Sequence, residues 1–139
     1  MTETHAKHTP EYNRAASTVK TQGILSIIFG GLGVFFGLIL MIIFAVALSE
    51  SYSDDDMVGY FTLFIGTLFF WLVPHVYLIV SGALLVRLPA PTPTKVLTII
   101  NLIVGAFWNL VLLIFAIITL TQSSDYEAGH PKAPKATLV

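Results

Sequence analysis

Three long stretches of the chain carry no Asp, Glu, Lys or Arg: Thr21–Ser49, Met57–Val86 and Val96–Ser124. Each exceeds the roughly 20 residues that an α-helix needs to cross about 30 Å of hydrocarbon. Inside lipid every backbone N–H and C=O must be paired within its own segment, and that requirement selects helix. The abundance of Val, Ile and Phe would favour strand in water, but this preference yields to backbone satisfaction. The apolar/polar alternation of a membrane β-barrel is missing. The middle stretch is too short for two crossings, which need about 40 residues, and longer than one needs. Moderate tilt, protrusion of Met57–Tyr60 into the interface and a bend at Pro74 accommodate the excess, because proline removes one helical hydrogen bond and crowds the turn before it. The pattern predicts an all-α integral membrane three-helix bundle, with spans over about 22–48, 58–86 and 96–121.

The flanks give the spans a direction. Lys7, Arg14 and Lys20 precede the first, and Arg87 and Lys95 lie between the second and third. The connection between the first two holds only Glu50, Asp54, Asp55 and Asp56 as charged residues, and Lys132 and Lys135 follow the third span at some distance. Cytoplasmic loops collect Lys and Arg, so the expected topology places the N-terminal side in the cytoplasm and the C-terminal side outside. The first span includes Ala45-Val46-Ala47, which resembles a signal-peptide cleavage site. The apolar run before it is longer than the usual 7–15 residues, so an uncleaved anchor is expected. The division is then a cytoplasmic arm over 1–20, a transmembrane domain over 21–122 and a disordered tail over 123–139. In the arm, Thr9-Pro10-Glu11 has the chemistry of a helix start.

Composition narrows the function classes. Hydrophobic residues make up 55% of the 139 positions and charged residues 11%, against about 25% charged in an ordinary soluble domain. A net charge of −1 and no basic patch give nucleic acid nothing to bind. With Cys at 0, disulfides, thiolate metal sites and thiol catalysis are excluded. The acidic run Asp54–Asp56 lacks the spaced ligands of a calcium loop and suits the start of the second helix, where negative charge is stabilising. His5 and His8 have no further ligands near them in the sequence. No metal and no cofactor are expected. The alternating prolines of Arg87–Lys95 predict a stiff, extended strap.

Shifting the chain by about 72 positions lays the first span over the third without a gap, with about nine identities in about 26 positions, among them Gly33 with Gly105 and Phe35 with Phe107. This points to a parallel repeat of helices 1 and 3. Each of the two spans gathers small or polar residues on one stripe: Ser26, Gly30, Gly33 and Gly37 in the first, Thr98, Asn101, Gly105 and Asn109 in the third. Steps of three and four keep them on one face, where small side chains permit close helix approach in lipid.

His75 is the single ionisable side chain of its kind within a span. At about 18 Å of helix from Arg87, it lies at a depth similar to Asn109, about 21 Å from Lys95. A hydrogen bond between the two is expected, with the Phe70 carbonyl freed by Pro74 as a further acceptor. Trp71 and Trp108 sit beside them. Such a cluster serves as interhelical glue, as a proton or substrate relay, or as a partner contact. Without a nucleophile–base pair, a zinc motif or a phosphate loop, no enzyme activity is expected. The leading expectation is a non-enzymatic accessory or structural subunit in a plasma or inner membrane, partnered by lipid and by other membrane subunits or by itself. The alternatives are a homo-oligomeric channel or small transporter lined by Asn101, His75 and Asn109, and a regulator that meets soluble partners through its cytoplasmic arm.

Overall fold

The computed structural model describes residues 9–130, and all regular structure among them is helical. The helices are α1 (Pro10–Ser49), α2 (Asp54–Gly66), α3 (Val73–Val86), α4 (Pro91–Trp108), α5 (Leu110–Thr121) and α6 (Ser123–Gly129), with a π-helical turn over Thr67–Leu72 joining α2 to α3. Two of them are long and apolar enough to cross a membrane: α1, and the unit Asp54–Val86 that α2, the π-turn and α3 make together. The short helices α5 and α6, bent by 54° at Gln122, pass the same test only if taken as one.

The chain divides into two compact units. One is Gly23–Leu84; the other combines the residues up to Gln22 with those from Leu85 onward. In the first, α1 from Gly23 lies antiparallel on α3. A Cβ at Gly30 would stand 2.8 Å from the His75 carbonyl, one at Gly37 2.6 Å from Leu72, and one at Gly82 2.5 Å from the Gly23 carbonyl. Glycine is what lets these backbones meet. The tight packing ends at Gly37 and Leu72; no residue from Leu38 to Trp71 is buried. The connection closes with Ser53 capping α2: its Oγ accepts from Asp56 N–H (3.2 Å) and donates to the Asp56 carboxylate (2.7 Å). Three aspartates in the first turn complement the helix dipole.

In the second unit, α1 begins where Thr9 accepts from Tyr12 N–H through its hydroxyl (3.2 Å) and from Asn13 N–H through its carbonyl (3.0 Å). Tyr12, Ala15, Ala16 and Val19 form one buried face, packed with Leu85 and Tyr126. The strap between α3 and α4 is shorter than the proline spacing suggests. Pro91 and Pro93 are already helical, because the first turn of a helix has no use for their missing N–H groups. Thr94 then closes the turn by donating to the Ala90 carbonyl (2.9 Å).

The expected continuous span over 96–121 is replaced by a helical hairpin. Asn109 is extended (φ −155°, ψ 106°), ending α4 and starting α5. A Cβ on Gly105 would lie 2.7 Å from Leu113 N, a contact between residues eight apart that a straight helix would hold about 12 Å from each other. At the other end of the hairpin, Lys95 reaches Glu127 (3.4 Å), and the Tyr126 hydroxyl donates to the Pro89 carbonyl. The chain has turned back on itself. Consequently α6 lies at the end of this unit where α1 begins, with Tyr12 and Tyr126 stacked 5.7 Å apart. The continuous third helix on which the opposite placement of the two ends was built is thus absent, and two or three crossings fit the apolar helices by length and composition. The part of the expected tail over Ser123–Gly129 is helical, with Tyr126 buried; residues 1–8 of the expected arm and 131–139 of the expected tail, with His5 and His8, lie outside the described residues. The parallel repeat is not kept in structure. α1 runs unbroken past Gly33 and Gly37, whereas the matching segment reverses four residues after Gly105.

Burial is inverted relative to a water-soluble protein. Phe35, Phe70 and Phe107 are 59%, 74% and 77% exposed, while Gln22, Ser26, Ser81, Thr98 and Asn101 are 0% exposed. Polar side chains buried alongside Leu78, Leu85 and Leu112, with large aromatic ones left outside, is an arrangement that suits a hydrocarbon solvent.

Candidate functional site

The polar groups expected to carry chemistry belong to both units. In the unit Gly23–Leu84 the centre is His75, 7% exposed. Its ring lies over Gly33, where a Cβ would fall 1.8 Å from Cδ2. Nδ1 is 2.6 Å from the Trp71 carbonyl. A carbonyl only accepts, so Nδ1 carries the hydrogen of this bond. Trp71 stacks on the imidazole at 5.0 Å and 28° and donates its indole N–H to the Gly33 carbonyl (2.9 Å). The indole thus ties the two helices together at the level where the glycine stripe meets them.

The π-helical turn prepares this spot. Val73 N–H bonds to the Leu68 carbonyl, five residues back instead of four. The widened turn accommodates Pro74, which needs no acceptor of its own. The bend expected at Pro74 is expressed as this turn within a helical run of 33 residues, not as a break. The acceptor that matters to His75 is the carbonyl of Trp71, not that of Phe70.

Asn109 does not need His75. Its side-chain oxygen accepts from Val111 N–H (3.0 Å) and Leu112 N–H (3.3 Å), while its own N–H bonds to the Gly105 carbonyl and its carbonyl accepts from Leu113 N–H. One residue serves as the C-cap of α4 and the N-cap of α5. The bonds described for His75 and for Asn109 each lie within the residue's own unit.

Thr98, Asn101 and Gly105 are buried on α4, and Ser26, Gly30, Gly33 and Gly37 on α1. The sequence reading missed Gln22, which extends the α1 stripe by one turn before Ser26 and is 0% exposed. The hydroxyl oxygen of Thr119 lies 2.7 Å from Gln22 Oε1 and 2.9 Å from the Phe115 carbonyl. A hydroxyl has one hydrogen and serves one acceptor fully. With the amide turned so that Nε2 faces Thr119, Gln22 donates to the hydroxyl and the hydroxyl donates to Phe115. That orientation also partners Nε2, which lacks a partner when Oε1 points there. Tyr12 and Tyr126 were missed as well. An isolated aromatic in a polar stretch gives no periodic signal.

A narrow cleft in the same unit, lined by Val19, Thr94, Thr98, Thr119 and Tyr126, presents almost only carbon surface, so it offers a polar guest little to bind. Among the described residues no group of three His, Asp or Glu side chains is placed to hold a metal ion. Comparison with protein-family models, curated proteins and solved structures finds nothing that matches this chain.

Proposed function

We propose that this multi-pass membrane protein works without catalysis, as an accessory or structural component of a larger membrane assembly, in a plasma or inner membrane with its N-terminal side in the cytoplasm. The observation that supports this reading is how the polar side chains are used. Trp71 and His75 hold one helix on another, Asn109 builds a turn, and Gln22 and Thr119 bond to each other. Side chains committed to the fold in this way act as glue inside lipid. The Arg and Lys side chains Arg14, Lys20, Arg87 and Lys95 in turn follow the distribution expected of a cytoplasmic face.

Purification in a mild detergent tests this. The chain should co-migrate in fixed stoichiometry with larger membrane subunits, and reconstituted liposomes should pass neither protons nor small solutes. Flux that disappears in His75→Ala would favour the channel or transporter lined by Asn101, His75 and Asn109. Recovery of a soluble partner that depends on residues before Pro10 would favour the regulator.

A further inference from the structure

The segment Val96–Thr121 is apolar and long enough to cross a bilayer as one helix, at about 39 Å for its 26 residues. It nevertheless folds back. We propose that Gly105 and Asn109 act as topology determinants. They make α4–α5 a re-entrant hairpin that enters the membrane and returns to the face it left, so that the segment following α6 lies on the same side as the start of α1. The inference rests on the membrane reading but not on the accessory role.

Geometry limits how far the hairpin reaches. α5 has 12 residues, about 18 Å of helix, against about 30 Å of hydrocarbon. Its tip at Asn109 therefore stops inside the membrane. Non-helical backbone at that depth persists only if its polar groups are paired. Asn109 supplies the pairing: two N–H groups of α5 bond to its side chain and one to its carbonyl, and its own N–H closes on Gly105. A turn of one residue forces the two helices together four residues either side of it. Only a residue without a Cβ fits there, since any Cβ at Gly105 would meet the Leu113 backbone. The open ends of the hairpin are fixed by Tyr126, through its bond to the Pro89 carbonyl and its stack on Tyr12.

Charge agrees with this arrangement. Lys7, Arg14 and Lys20 precede the first crossing, Arg87 and Lys95 lie between α3 and the apolar part of α4, and Lys132 and Lys135 follow α6 in the chain. With a re-entrant hairpin all 7 Lys and Arg residues share one side, whereas a third crossing would put Lys132 and Lys135 on the other.

The absence of cysteine makes the test direct. Single reporters Ser17→Cys, Tyr52→Cys and Ala128→Cys, all at exposed positions, are labelled in the full chain with an impermeant maleimide on sealed vesicles of each orientation. Ser17→Cys and Tyr52→Cys reacting from opposite faces establish the two spans independently of the hairpin. Ala128→Cys should then react from the Ser17 face. In a Gly105→Leu/Asn109→Leu background, half or more of the Ala128→Cys label should move to the Tyr52 face, while Asn109→Ser, which keeps a capping oxygen, should leave it in place. Full-length chains inserted into vesicles during cell-free synthesis give the same readout without requiring a folded product. An unsubstituted hairpin whose Ala128→Cys reacts from the Tyr52 face would overturn the inference, and so would a double variant with unchanged labelling.

Discussion

Replacing Gly33 with alanine adds one methyl group and should unsettle the joint between α1 and α3. The new Cβ would sit 1.8 Å from His75 Cδ2 and 2.3 Å from Cγ, well inside contact distance. The ring cannot step aside freely: Nδ1 is bonded to the Trp71 carbonyl, and Trp71 stacks on the imidazole and bonds back to Gly33 itself. Relief requires the helices to separate or the ring to give up its bond. Overpacking of this kind costs about 1–3 kcal/mol, and an interhelical hydrogen bond lost in lipid adds about 0.6 kcal/mol on average. The expected destabilisation is about 2–3 kcal/mol. Gly31→Ala is the matched control. It stands two residues away on the same helix and faces open space, so the better helix propensity of alanine should stabilise by about 0.5–1 kcal/mol. Reversible unfolding in mixed detergent micelles, or steric trapping in bicelles, measures both. His75→Ala removes the ring that the methyl group strikes, so Gly33→Ala should cost markedly less in that background. Equal effects at Gly31 and Gly33, or a full penalty with His75 absent, would refute the reasoning.

Other consequences can be checked with the same assay. Thr119→Val keeps the shape but removes the hydroxyl beside Gln22, and should cost about 1–2 kcal/mol, because the buried amide loses its partner. Tyr126→Phe removes the hydroxyl that bonds to the Pro89 carbonyl and stands beside the Thr94 side chain and should cost about 1 kcal/mol. Tyr126→Ala also empties part of the cluster with Tyr12, Ala15 and Leu85, should cost about 3–5 kcal/mol, and should expose α6 to proteolysis from the N-terminal face. Ser53→Ala removes the cap of α2 and should cost about 1 kcal/mol. Because no residue near that end is buried, the loss should appear as faster amide exchange over Asp54–Asp56 and leave global unfolding nearly unchanged.

The apolar runs, the stripe Ser26–Gly30–Gly33–Gly37 and the special character of Pro74 and His75 can be read in the sequence, because each is recorded by spacing or by rarity inside lipid. The reversal at Asn109 is not recorded in that way. A charge-free run of 26 residues meets the length criterion for a crossing whether it is straight or folded, and hydropathy carries no information about where a helix ends. One signal was present: an asparagine, a strong N-cap residue, four positions after a glycine. Read as a cap and not as a membrane-embedded polar group, Asn109 would have divided the run. The C-terminal helix α6 was hidden for a different reason. It is too short to show periodicity, and it is stabilised by residues more than a hundred positions earlier in the chain, Tyr12 above all. The prolines misled because their stiffness was read as extension, while Pro91 and Pro93 occupy the one part of a helix that suits them.

Everything above depends on hydrocarbon being the solvent around the exposed faces of α1 and Asp54–Val86. Alkaline carbonate extraction of membranes from cells expressing the full chain tests this most directly, since it strips peripheral proteins and leaves integral ones. The account predicts that the chain stays in the membrane pellet and is released only by detergent. Release by carbonate alone as a monodisperse, helical species would contradict it.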